Sequence, residues 1–186
     1  MTGYIKEKYL LFRAKNKDPE AFSQVYDLYA EKIYRYIFFK VRTQEDAQDL
    51  TSEVFLKTWQ YIAENSKDIK NLNALFYKIA RNLVIDYYRK LSQQEVLMEQ
   101  EILEQQEAVV SQTDLQAVET KIEMEKIEEK LRELKDEYRD VIILRYIEQM
   151  SINEIAQVIE KKTGAVRVMI FRALNTLKDL MEEKDQ

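Results

Sequence analysis

Apolar residues recur along this chain at spacings of three and four, and almost nowhere do they alternate with polar ones. That period belongs to helices with one buried face, so the pattern predicts an all-α protein. It is clearest toward the C-terminus. Ser151-Ile152-Asn153-Glu154 has the form of a capping box, and Met150 and Ile155 flank it at the spacing of a hydrophobic staple. The apolar run Ile152, Ile155, Ala156, Val158, Ile159 stops at Glu160-Lys161-Lys162-Thr163. A second helix resumes with Ala165, Val166, Met169, Ile170, Ala173, Leu174 and Leu177. Two short helices joined by a tight polar turn, with Lys161, Lys162, Arg167 and Arg172 near the start and along one side of the second, match a helix-turn-helix facing DNA.

The N-terminal half reads as a block of longer helices. Ile5, Tyr9, Leu10 and Phe12 suggest a short leading helix. Asp18-Pro19-Glu20 then supplies a cap, a proline at the first helical position and an acid in the first turn. The helix it opens is expected to bury Phe22, Val25, Tyr26, Tyr29, Ile33 and Ile37. A second helix opens at Thr43-Gln44-Glu45-Asp46 and buries Ala47, Leu50, Val54, Phe55, Thr58 and Ile62. Its opposite side collects Asp46, Asp49, Ser52, Glu53 and Gln60, with Leu56 among them. A leucine among acids is read equally well as a protein contact or as an isolated surface residue. The third helix has an inner stripe of Leu72, Phe76, Ile79, Ala80, Leu83 and Tyr87. Half a turn away lie Lys78, Arg81, Asn82, Ile85, Tyr88 and Arg89, a ridge suited to a nucleic-acid backbone with some base contact. The polar loop before it, residues 65–71, is either a cup for an unstacked base or an ordinary solvated turn.

Composition narrows the chemistry. Two glycines and one proline in 186 residues leave little punctuation for hairpins. Without cysteine or histidine there is no disulfide, zinc finger, thiol nucleophile or imidazole base, so neither an enzyme nor a cofactor is expected. No apolar run approaches the ~20 residues of a membrane span. Lys6, Lys8, Arg13, Lys15 and Lys17 interrupt the N-terminal apolar residues, so no cleavable signal is expected and the location is read as cytoplasmic. The net charge of −5 is unevenly distributed: residues 1–91 carry 16 Lys+Arg against 12 Asp+Glu, whereas 92–120 carry none against 7. Residues 151–178 carry 5 against 2, so two locally basic blocks flank a purely acidic connector. The expected organisation is a first helical domain over 1–91, an acidic linker over 92–120 and a helix-turn-helix domain over 121–186.

The order of features is itself informative. Asp18-Pro19-Glu20-Ala21-Phe22 is followed by Glu45-Asp46-Ala47-Gln48-Asp49-Leu50 and Glu53-Val54-Phe55-Leu56. Next come Ile79-Ala80-Arg81-Asn82-Leu83-Val84-Ile85-Asp86-Tyr87, Leu144-Arg145-Tyr146, Glu154-Ile155-Ala156 and Arg172-Ala173-Leu174. In this order and spacing the chain resembles a bacterial RNA polymerase sigma factor of the extracytoplasmic-function type, in the sigma-70 family.

The resemblance implies a first domain that grips core RNA polymerase and opens the promoter. Asp46, Asp49, Ser52, Glu53, Leu56 and Gln60 would dock on the clamp helices of the largest polymerase subunit. Asn65, Ser66, Lys67, Lys70, Asn71, Lys78, Arg81, Asn82, Tyr88 and Arg89 would capture a flipped base of the promoter-proximal element and hold the separated strand. The linker would thread toward the active-site cleft and the RNA exit channel. The C-terminal domain would touch the flap of the second-largest subunit and read the upstream promoter element. There Lys161, Lys162, Arg167 and Arg172 would neutralise phosphates, with Thr163, Gly164, Arg167, Val168 and Phe171 nearest base edges. An anti-sigma factor clamped between the two domains is a further partner of such proteins.

Four positions depart from the family pattern. Glu160 stands where a glycine is usual in the turn and, if left-handed, costs roughly 1 kcal/mol. Ala165 and Val168 replace polar residues of the recognition helix, which leaves fewer polar readers. Leu75 stands where a tryptophan is usual. Two competing readings are a stand-alone helix-turn-helix regulator using residues 121–181, which leaves the ridges on the second and third helices unused, and a helical protein-binding scaffold.

Overall fold

The computed structural model describes residues 3–16, 18–64, 69, 71–99, 127 and 129–182, and among them there are helices and no strands. Helix α1 spans Gly3–Lys15, α2 Pro19–Phe38, α3 Gln44–Glu64 and α4 Leu72–Glu99. After a helical stretch at 129–133 come α5 (Asp136–Ile142), a π-helical turn (Ile143–Ile147), α6 (Ile152–Val158) and α7 (Thr163–Glu182).

Local sequence sets the helix starts. The Asp18 carboxylate accepts from the amides of Glu20 and Ala21, with Pro19 supplying a first residue that needs no hydrogen-bond acceptor. The Arg13 guanidinium beside it holds the Asp18 carboxyl below its ordinary range, so the cap stays charged. Thr43 caps α3, accepting from the Asp46 amide at 3.1 Å. Asn71 caps α4, accepting from the Ala74 amide at 3.0 Å. At α6 both arms of the capping box form between Ser151 and Glu154, and the flanking Met150 and Ile155 are buried.

In the first half, α2, α3 and α4 bury Val25, Tyr29, Ile33, Ile37, Ala47, Val54, Phe55, Ile62, Phe76 and Ala80, with Tyr29 stacked on Phe76 at 4.6 Å. The stripes differ from expectation at their edges. Tyr26, expected in the core, is 48% exposed, and α1 turns Leu10, Leu11 and Ala14 inward while Tyr9 and Phe12 face solvent. These helices carry more aromatic rings than one face can cover, and the leftovers lie at its rim. Helix α4 continues eight residues beyond Leu91 to Glu99, so the connector begins as helix; residues 100–120 lie outside those described.

In the second half, Arg139 is buried and donates to the carbonyls of Leu131 (2.7 Å), Arg132 (2.6 Å) and Leu134 (3.0 Å). It thereby satisfies acceptors that the end of the preceding helical stretch leaves open. Val166, Ile170 and Ala173 of α7 are buried, while Leu174, expected on the same stripe, is 39% exposed, 100° round the helix from Ala173. Glu160 has φ 55, the left-handed conformation whose cost a glycine would avoid.

Candidate nucleic-acid interface

The two halves meet across a polar seam whose carboxylates come from the second half. Asp140 precedes the apolar run Val141-Ile142-Ile143-Leu144, and its side chain is only 3% exposed. It accepts from Tyr36 Oη at 2.8 Å and Arg81 Nε at 2.9 Å, and it pairs with Lys40 Nζ. Glu148, 1% exposed at its side chain, takes both arms of Arg35 (2.8 and 3.1 Å) and Tyr77 Oη at 2.6 Å. Eight residues along an uninterrupted α-helix would set these acids roughly 80° apart; the wider π turn between them reduces that angle, and both meet α2 and α4. Burial, with the neighbouring Asp140, pushes the Tyr36 phenol well above its ordinary pKa, and burial beside Glu148 does the same for Tyr77. Both hydroxyls therefore remain protonated donors. Farther along the seam, Asn73 donates to Glu154 at 3.3 Å and Lys78 pairs with Glu160 at 2.6 Å.

This seam changes the picture of the proximal ridge. Lys78 and Arg81 do lie on the side of α4 turned away from its own core, but that side faces the second half. Tyr88 is half-buried, donating to the Lys40 carbonyl at 2.5 Å, and Asn71 is committed to capping. Asn82 and Arg89 are exposed, Arg89 pairing with Asp86 at 3.0 Å. Asn65, Ser66, Lys67 and Lys70 fall outside the described residues.

The upstream group is brought together more completely. Lys161, Lys162, Gly164, Arg167, Val168, Phe171 and Arg172 are all exposed around the turn and along one face of α7, with Thr163 half-buried. Lys161 reaches Glu137 at 3.4 Å, whereas Lys162, Arg167 and Arg172 make no ion pair among the described residues. From Lys161 to Lys178 there is no acid. Such a face attracts phosphate without first breaking internal bonds.

On α3, Asp49, Ser52, Leu56 and Gln60 are exposed and Glu53 is half-exposed beside Lys57. Asp46 differs: it is half-buried and accepts from Tyr87 Oη at 2.8 Å, and the Tyr87 phenol is pushed up to about 12 by burial and that bond. Leu56 is 57% exposed, and it is not isolated. It borders a shallow apolar groove with Pro19, Phe22, Tyr26, Phe55 and Trp59, where Phe22 meets Trp59 at 4.3 Å between ring centroids and Tyr26 meets Phe55 at 4.6 Å. The groove gives the leucine the company that a protein contact needs.

Sequence reasoning missed the seam residues Arg35, Tyr36, Lys40, Tyr77, Asp140 and Glu148. Asp140 carried a signal: an acid abutting four consecutive aliphatic residues in a short helix has poor access to water.

Residues 25–94 match the family model of sigma-70 region 2, and residues 124–177 match that of sigma-70, region 4. The chain is 30% identical over 174 residues to the ECF RNA polymerase sigma factor BldN of Streptomyces coelicolor, covering 94% of this chain and 65% of that protein. It is 28% identical over 178 residues to the ECF RNA polymerase sigma factor SigW of Bacillus subtilis, covering 92% and 94%. Two solved structures share the fold. CnrH in complex with the cytosolic domain of CnrY has a TM-score of 0.73 at 20% identity, covering 96% of this chain and 98% of that one. The sigma factor RpoE in complex with the anti-sigma factor NepR, from Bartonella quintana, has a TM-score of 0.67 at 21% identity, covering 87% and 96%.

Proposed function

The chain belongs to the sigma-70 family of RNA polymerase sigma factors, in its extracytoplasmic-function group, and from that premise we propose how its two halves divide the work of promoter recognition and melting. Residues 1–91 bind core polymerase through the exposed face of α3, with Asp49, Ser52, Glu53, Leu56 and Gln60 at the contact and the apolar groove beside Leu56 extending it. Asp46 contributes through its hold on Tyr87. The loop 65–71 and the ridge of α4 engage the promoter-proximal element. Helix α7 enters the major groove of the upstream element, with Lys161, Lys162, Arg167 and Arg172 on phosphates, while its domain also touches the polymerase flap. The linker 92–120 lies in the polymerase's basic channel. The work is non-enzymatic and needs no cofactor: capture of unpaired bases shifts the duplex toward the open form by binding energy alone. It takes place in the cytoplasm.

The observation that carries this reading is the free basic face of α7 on the same chain as an exposed, groove-bordered leucine among acids on α3. A stand-alone regulator has a use for the first feature and none for the second. The seam adds a condition. With Lys78 and Arg81 held by Glu160 and Asp140, that part of the proximal ridge faces the second half, so the halves must part before these two cations can engage DNA. An anti-sigma factor that favours the closed arrangement is the regulator this reading calls for. The test is co-purification with core polymerase followed by in vitro transcription from a genomic fragment library. Discrete start sites that depend on the added chain are expected. Tight binding to a two-fold site without polymerase would overturn the reading in favour of a dimeric regulator.

A further inference from the structure

The outer face of α7 poses a question that phosphate binding does not answer. At 100° per residue, Gly164, Val168, Phe171 and Asn175 form the line most distant from the buried Val166, Ile170 and Ala173. Val168 is 49% and Phe171 65% exposed, on a helix whose inward stripe already fills the core. Arg167 lies on one side of that line and Arg172 on the other. Two apolar side chains thus stand at the crest of a helix between two arginines that make no ion pair among the described residues. Gly164 sharpens the picture: a Cβ built there meets nothing within 4 Å. Among the described residues nothing crowds that position.

In the major groove the one apolar group on a base edge is the C5-methyl of thymine. With cations at both flanks for the two phosphate backbones, the crest meets base edges, and its chemistry there is to bury methyl groups. We propose that Val168 and Phe171 read thymine C5-methyl groups in the upstream element, so that part of its specificity comes from apolar contact rather than from hydrogen bonds. This rests on the placement of α7 in the major groove proposed above. A protein partner would also welcome apolar residues, but the acid-free, basic surround favours nucleic acid.

The test uses the full chain with core polymerase. Holoenzyme selection from duplexes randomised over the upstream region yields the preferred element. That element is then synthesised with thymine or with deoxyuridine, which removes only the methyl and leaves every hydrogen-bonding group in place. Wild type is expected to bind the deoxyuridine duplex about fourfold more weakly for each contacted methyl. Val168→Ser, which removes both γ-methyls, and Phe171→Ala should each shrink that ratio, with helical content unchanged. Equal binding of the two duplexes, with an element still selected, overturns the methyl reading and leaves the sigma-factor reading standing. Equal binding together with weakened core-polymerase capture by Phe171→Ala would assign the crest to a protein contact instead. Failure to select any upstream element would overturn both readings.

Discussion

The outer face of α7 and the ridge of α4 look alike on paper, each a row of cations with aromatic or apolar neighbours, yet their circumstances are opposite. Arg167 and Arg172 are exposed and make no ion pair among the described residues, whereas Arg81 lies against Asp140 and Lys78 against Glu160. Four side chains of the same two types therefore stand in two different states of readiness. The comparison teaches that charge on a helix face reports affinity for anions, and that only the tertiary arrangement says which anions are bound.

The largest effect is expected at Asp140. Asp140→Ala leaves Lys40 and Arg81 without a counter-charge in a buried seam, a loss of about 3–5 kcal/mol to the closed arrangement. Small-angle scattering should show the halves apart while circular dichroism keeps its helical signal. An unchanged radius with unchanged stability would erase the difference between the two faces. Tyr36→Phe removes one donor to a charged acceptor, about 2 kcal/mol against closure, read by the same pair of measurements.

Glu160 sits between the two regions and sharpens the contrast. Glu160→Gly relieves about 1–2 kcal/mol of left-handed strain and gives up a half-exposed pair with Lys78 worth about 0–1 kcal/mol. The melting temperature should rise slightly while Lys78 is released. Arg167→Ala, by contrast, should leave folding stability within about 0.5 kcal/mol and lower the salt slope of promoter binding by about 1. A shift in unfolding midpoint as large as that of Asp140→Ala would show that Arg167 is not free after all.

The smallest effect is on pH. Burial works to raise Glu154, but its bonds to Ser151 and Asn73 bring it below the ordinary glutamate pKa; Lys78 does the same for Glu160. For a depressed carboxyl, the stabilisation is complete above the ordinary pKa and disappears as pH falls through the lowered value. The Glu160 bond to Lys78 crosses the seam, so through it closure should weaken in acid below the ordinary glutamate range, seen as a modest rise in interdomain distance by fluorescence transfer. Glu160→Gln should flatten that response.

How much of this was legible depends on the range of the interaction. The caps at Asp18 and Ser151 were readable because their partners lie two or three residues away. The apolar stripes of α2 to α4 were readable from period alone, whereas Val168 and Phe171 came into view through the family resemblance. What a helical wheel cannot supply is the identity of the next layer. It turned Lys78 and Arg81 away from their own core, which is correct, and could not distinguish water from a second domain. The aromatic surplus misled in a milder way: Tyr26 and Phe12 have the spacing of core residues and lie at the rim. The π turn over Ile143–Ile147 left no mark in Ile143-Leu144-Arg145-Tyr146-Ile147, whose composition suits an ordinary helix equally well.

The seam has a thermodynamic corollary for promoter engagement. If the proposed engagement of the α4 ridge is right, Lys78 and Arg81 do not meet DNA as free cations; they trade the carboxylates of Glu160 and Asp140 for phosphates. An exchange of one anion for another releases fewer bound ions than a fresh association. The ionic-strength dependence contributed by the first half should accordingly be shallower than its cation count suggests, and most of the salt sensitivity of the complex should trace to α7.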